Sequence, residues 1–138
     1  MQDVNVLVVF CSRTGKTEAR ALAAALGAVQ AKANIRLRWL REPADDRSIQ
    51  EIAGWKENRE RMEKEYIGPR TVDADWADAI IIGASGRPPE LRDYLASLDD
   101  NVKPVWIGDG DPRLQGRQVA DAARAVKNKS RSQSPASD

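Results

Sequence analysis

The residues best equipped for chemistry stand together in one stretch, Cys11-Ser12-Arg13-Thr14-Gly15-Lys16-Thr17. It gathers three hydroxyls, two cations, a thiol and a glycine between an apolar run and a segment rich in Ala and Leu. Successive loop N–H groups at the positive end of a helix, joined by hydroxyl donors, form a cradle for an anion such as phosphate. Capping a helix takes a single hydroxyl, and Thr14 or Thr17 alone would serve for that. The surplus of donors favours a phosphate cradle.

Gly15-Lys16-Thr17 is similar to the end of a nucleotide-triphosphate P-loop, but Phe10 stands where that motif needs its first glycine. The loop therefore suits one terminal monophosphate better than a triphosphate, and a P-loop nucleotide binder is the third-ranked reading. Cys11 adjoins Arg13 and a helix start, surroundings that favour a reactive thiolate. A low-molecular-weight phosphatase loop would require Arg at position 17, where Thr stands, so Cys11 is expected to be a small packing residue. Asp73, Asp75 and Asp78 are expected to be solvated loop charges, not a magnesium site. Of Trp39, Trp55, Trp76 and Trp106, only Trp106 falls close to the carboxyl end of an expected strand, where it could stack on a ligand.

Positioning such a loop requires a rigid strand before it and a helix after it. Val4 to Phe10 is almost unbroken in aliphatic residues, as a strand buried on both faces would be. Glu18 to about Ala31 reads as a helix, with Ala19, Leu22, Ala23, Leu26 and Val29 on one stripe. Ile35 to Trp39 alternates apolar residues with Arg, which predicts an edge strand with one solvated face. The charge-dense stretch from Arg41 to Pro69 is assigned one helix. Ala79 to Gly83 repeats the doubly apolar pattern and leads into Ala84-Ser85-Gly86-Arg87-Pro88-Pro89. A helix over Glu90 to Leu98, a strand over Val102 to Ile107, a turn and a last helix over Leu114 to Val126 follow. Alternating strands and helices predict a three-layer α/β domain with a parallel sheet, whose ligands bind beyond the carboxyl ends of the strands. One domain over residues 1–126 and a disordered basic, Ser-rich tail over 127–138 complete the organisation.

The whole chain has 138 residues, 22 basic against 21 acidic, for a formal charge of +1. That balance gives no global attraction to nucleic acid, and none is expected as a partner. No histidine is present, which removes His-based metal sites and Ser/His/Asp triads. A lone cysteine makes no internal disulfide, and no apolar run reaches the roughly 20 residues of a membrane-spanning helix. The expectation is a cytoplasmic protein without a membrane partner. Exposed edge strands leave a homo-oligomer possible.

Val8 to Thr17, followed by Ala21, resembles the FMN-phosphate signature of the flavodoxins. The Ser12-Arg13-Thr14-Gly15 block, Trp76 to Gly83 and Leu114 to Ala120 are similar to the flavodoxin-like NAD(P)H:quinone oxidoreductases, also known as tryptophan-repressor-binding proteins. The resemblance implies a flavodoxin-like three-layer sandwich, FMN as cofactor, NAD(P)H and a quinone as substrates, and two-electron reduction by the flavin, with no catalytic side chain required. It implies that Ser12, Arg13, Thr14, Gly15, Lys16 and Thr17 hold the phosphate, while Ser85, Gly86 and Arg87 approach the ring. Two departures stand out. The second loop keeps only the Arg of the family's Thr-Pro-Thr-Arg-Phe-Gly, and only six residues separate Ile107 from Leu114, where the family has a Gly-rich loop, a helix and a strand. The implied sheet therefore shrinks to four strands in the order 2-1-3-4. The alternative reading is a truncated flavodoxin-like module with weak or no FMN binding, serving a phosphate ligand or a protein partner.

Overall fold

In the computed structural model, which describes residues 3–42, 45–99 and 102–132, four strands form one parallel sheet. The strands are β1 (Val4–Phe10), β2 (Ala33–Trp39), β3 (Ala79–Gly83) and β4 (Val105–Trp106), in the order β2-β1-β3-β4. Six helices accompany them: α1 (Lys16–Gln30), α2 (Asp46–Glu51), α3 (Trp55–Glu65), α4 (Thr71–Trp76), α5 (Pro89–Ser97) and α6 (Pro112–Ser132). The strand order is the one expected from the sequence.

Side-chain alternation along β1 divides the core into two layers. Val4, Val6, Val8 and Phe10 pack with the alanines of α1 and α6, whereas Leu7, Val9 and Cys11 pack with Ile80, Ile82 and Leu91 on the opposite face. A strand apolar at every position is what that sandwich demands.

The buried face of α1 corrects the expected stripe. Ala21, Ala24, Ala25 and Ala28 face inward, whereas Leu22, Leu26 and Val29 are 42, 49 and 45% exposed. The cause is a close crossing with α6: a Cβ on Gly27 would lie 1.9 Å from the Arg113 carbonyl oxygen, and one on Gly116 equally near that of Ala24. Only small residues fit that seam, so the larger ones turn outward.

Further corrections follow the same logic of tertiary contact. The single helix expected between residues 41 and 69 is two, divided where Gly54 takes φ 83° and opens α3. The face of β2 expected to be solvated is covered: Arg36 and Arg38 both bind Asp73, which is fully buried on α4 instead of being a solvated loop charge. Arg36 also lies over the Trp76 ring at 4.2 Å. The strand expected over Val102 to Ile107 shortens to Val105–Trp106, preceded by Pro104, which has no N–H to give a ladder. The helix expected to end at Val126 continues to Ser132, through residues assigned to the tail; Lys127 Nζ anchors it to the Asp3 carbonyl (2.8 Å) and to Asp78 (3.2 Å). Residues 133–138 lie outside the described ones.

Both sheet edges are partly occupied. On β2, the Trp39 N–H donates to the Ile67 carbonyl (3.0 Å) and Arg38 Nη1 to the Leu37 carbonyl (2.9 Å). On β4, Gln115 Nε2 donates to the outward Trp106 carbonyl at 2.7 Å. Such groups blunt the templates that pair sheets between molecules. Among the described residues, no helix is long and apolar enough to cross a membrane.

Candidate functional site

The carboxyl ends of the four parallel strands bring their following loops to one edge of the sheet. The loop after β1 begins where the Cys11 N–H donates to the Gly83 carbonyl at 2.9 Å, tying it to β3. It turns at Ser12, whose Oγ accepts the Gly15 N–H at 3.1 Å, and enters α1 through Gly15 at φ 99°. No side chain caps the start of α1, so neither Thr14 nor Thr17 acts as the helix cap. Among the described residues, no acceptor takes the hydroxyl proton of Ser12, Thr14 or Thr17, and Lys16 is exposed without an ion pair. An uncapped helix start, spare hydroxyls and a free ammonium are the donor set that a phosphate group accepts. On that test the residues present fit a phosphate monoester.

The outer side of the loop is held by α3. Asn58 Nδ2 donates to the Arg13 carbonyl at 3.2 Å, and Arg61 binds both Asn58 and the buried Glu18 of α1. Tyr66 adds its hydroxyl to Glu18 at 2.7 Å. The Arg61 contact holds the Glu18 carboxyl below its usual range against the opposing effect of burial, with Tyr66 helping. Its negative charge beside the start of α1 is thereby matched.

Arg13 is engaged by Glu42 and Trp55. Its Nε donates to Glu42 Oε2 at 3.1 Å, its Nη2 to Glu42 Oε1, and its guanidinium lies 4.6 Å from the centre of the Trp55 ring. Facing it across a cavity of about 410 Å³ is the loop after β3. That cavity joins Cys11, Ser12 and Arg13 to Ser85, Gly86 and Arg87, with Glu42 at its side. Thr14, Gly15, Lys16 and Thr17 lie outside it, at the helix start. The expected residues thus form two adjacent groups, with Ser12 and Arg13 common to the loop and the cavity.

Arg87 rests on Trp106, its guanidinium 4.7 Å from the ring centre, so the one tryptophan expected near a ligand carries an arginine. The connection after β4 is fixed from two sides: Arg20 of α1 donates to the carbonyls of Gly108 and Gly110, while Gln115 accepts the Gly108 N–H at 3.0 Å. Burial pushes the Cys11 thiol up to about 12, with the charges of Glu42 and Glu90 adding to it, which suits a packing residue and not a nucleophile. Among the described residues no cluster of three or more His, Cys, Asp or Glu is arranged to hold a metal ion.

Glu42, Asn58 and Arg20 escaped the sequence reading, because each meets the loops only through the fold, and Trp55, weighed there only as a ligand-stacking residue, instead carries Arg13. Gln115 had a signal, since it sits in the Leu114 to Ala120 segment already singled out by resemblance.

No protein-family profile matches the chain. It is 31% identical over 103 residues to the NAD(P)H dehydrogenase (quinone) of Deinococcus radiodurans. The match covers 75% of the chain and 51% of that relative, so the chain spans about half the length of the curated relative it matches. Among solved structures, it is similar to a diflavin flavoprotein A3 from Nostoc sp., at 10% identity and a TM-score of 0.43, covering 94% of this chain and 99% of the other.

Proposed function

We propose that this chain is a flavodoxin-like protein that binds FMN and works as an NAD(P)H:quinone oxidoreductase-type flavoprotein in two-electron reduction. The observation that carries the reading is the start of α1, left without a side-chain cap beside hydroxyls of Ser12, Thr14 and Thr17 whose protons no acceptor takes among the described residues. Those hydroxyls, the first N–H groups of α1 and the Lys16 ammonium would hold the phosphate. Ser85, Gly86 and Arg87 would border the ring in the cavity. FMN, when bound, supplies the electron chemistry, and the protein contributes binding, orientation and the local field. Hydride transfer itself requires no side-chain acid or base. The relative named a quinone dehydrogenase supports NAD(P)H and a quinone as the substrates.

The test is a visible spectrum of the purified chain before and after FMN is added, followed by NADH or NADPH with a benzoquinone. A bound flavin spectrum and quinone-dependent oxidation of the nicotinamide are expected. Thr17→Ala is expected to weaken FMN roughly tenfold or more while leaving riboflavin nearly unchanged, because a hydrogen bond to a charged group contributes about 1.5–3 kcal/mol. Equal losses for the two ligands would remove the phosphate cradle from the account.

One observation favours a second reading, a phosphate-binding or protein-interaction module without redox activity. The connection from β4 to α6 is short and is tied down by Arg20 and Gln115, which leaves little of a third wall for a flavin ring. Failure to bind FMN, with retained affinity for a small phosphate monoester, is the result expected of that module.

A further inference from the structure

Two arginines line the cavity, and they are in different electrostatic states. Arg13 is paired with Glu42, so its charge is largely cancelled within the cavity wall. Arg87 makes no ion pair among the described residues and is exposed. Glu90 lies three positions further on, with a buried Oε2 that has no hydrogen-bond partner, and it does not line the cavity. The charge of Glu90 reaches the cavity wall at Cys11, and among the residues that line the cavity the cation without an ion pair is Arg87.

That charge also has an aromatic partner. Its guanidinium lies over the face of Trp106, the geometry of a cation–π contact. Trp106 in turn is fixed by its register with Ile82 in the sheet and by Gln115 on its carbonyl. A mobile loop arginine would be averaged into solvent, whereas this one is referred to the sheet through an aromatic platform.

We infer that Arg87, held on Trp106, serves the same cavity as a fixed positive charge that favours the reduced, negatively charged state of the bound flavin over the oxidised, neutral ring. The inference rests on the FMN reading above. In the reaction, a nicotinamide gives a hydride, two electrons with one proton, and the cofactor gains one negative charge; it then passes that hydride to a quinone, and water supplies the second proton. A cation beside the ring strengthens binding in the charged state alone, more so where the cleft partly excludes water. Trp106 is on this account a positioning residue and makes no contact with substrate.

The experiment measures the dissociation constants of oxidised and photoreduced FMN for the unsubstituted chain, Arg87→Gln, Arg87→Lys and Trp106→Leu. Arg87→Gln is expected to weaken reduced FMN about tenfold more than oxidised FMN, equivalent to a fall of about 30 mV in the two-electron midpoint potential. Arg87→Lys, with the charge kept and the planar stack lost, is expected to restore part of the difference. Trp106→Leu is expected to fall between the Gln and Lys variants. Should that substitution disturb the edge strand, the two Arg87 variants, at an exposed position, still decide. FMN binding with an unchanged reduced-to-oxidised ratio in Arg87→Gln overturns the inference and spares the FMN site. Equal weakening of both states makes Arg87 an ordinary contact and overturns it too. An unsubstituted chain that binds no FMN in either state sinks both.

Discussion

Arg38 of β2 grips Asp73 of α4 with two nitrogens, Nε at 2.9 Å and Nη2 at 3.0 Å, and the carboxylate it holds is wholly shielded from water. Arg36 adds a third contact at 3.1 Å, and the Arg70 N–H a fourth at 2.9 Å. Every lone pair that burial strips of water is thereby answered. Removing the charge leaves Arg38, only 13% exposed, facing a neutral group. Breaking a buried pair from one side costs about 3–5 kcal/mol. Asp73→Asn is expected to lose about 3 kcal/mol, read from urea unfolding at neutral pH, and a loss below about 1 kcal/mol would show that the cluster is replaceable.

The same carboxyl sets an acid limit on stability. Burial alone would raise it, but the hydrogen bonds from Arg38 and from the Arg70 N–H, with the charge of Arg38 and the contact of Arg36, bring it down to about 2. A group depressed on folding stabilises the native state above its unfolded value of about 3.9, and that contribution disappears as pH falls through the folded value. The window therefore runs from about pH 4 down to about pH 2, and the shift corresponds to about 2–3 kcal/mol. Glu18, also lowered, works with the same sign. The check is the difference between the unsubstituted chain and Asp73→Asn: their acid-unfolding curves should converge towards pH 2, and parallel curves would exclude Asp73 as the titrating group.

These residues also show what the sequence could disclose. The doubly buried strands β1 and β3 and the loop after β1 were legible because their signals are local: an unbroken aliphatic run, then hydroxyls and glycine at a helix start. Arg36, Arg38 and Asp73 were each read as facing water, since charge alternation in a strand and acids before a strand ordinarily do so. They answer each other across more than thirty positions, which periodicity cannot register. The α1 face failed differently. Leu22, Leu26 and Val29 mark the more hydrophobic stripe, yet the glycine seam with α6 selects small residues, and packing outranked hydrophobicity. At the site, the hydroxyl-rich loop was visible in one segment, while the Glu42 and Trp55 partners of Arg13 and the Arg87 stack on Trp106 depend on loops that meet only in the fold.

That seam yields its own test. Gly116→Ala would place a methyl 1.9 Å from the Ala24 carbonyl oxygen, backbone that cannot rotate aside, so α1 and α6 must separate. Overpacking of this kind costs about 1–3 kcal/mol, and the rigidity of the obstacle puts this case near the upper figure. Gly110→Ala, where an added methyl meets nothing within 4 Å, is the control and should stay within about 0.5 kcal/mol. Thermal melting of both variants distinguishes them, and equal midpoints would mean that the helices yield freely.

Cys11 offers a chemical probe of the wall between the two loops. Its thiol is buried on the α5 side of the sheet with Leu7, Val9 and Leu91, and desolvation, with the nearby Glu42 and Glu90 charges, pushes it up to about 12. Since the thiolate is the reacting species, its population at pH 8 falls on the order of a thousandfold below that of a free cysteine near 8.5. Iodoacetamide at pH 8 should therefore leave the native chain almost unlabelled and modify it quickly in urea. Glu42→Gln removes one of the charges that disfavour the thiolate and also releases Arg13 beside it. Labelling of that variant should be faster than in the unsubstituted chain yet far below the unfolded rate, because the largest cause, burial, remains. Rapid labelling of the native unsubstituted chain would mean that the β1 loop opens readily, and the cleft next to it could not then be a rigid wall.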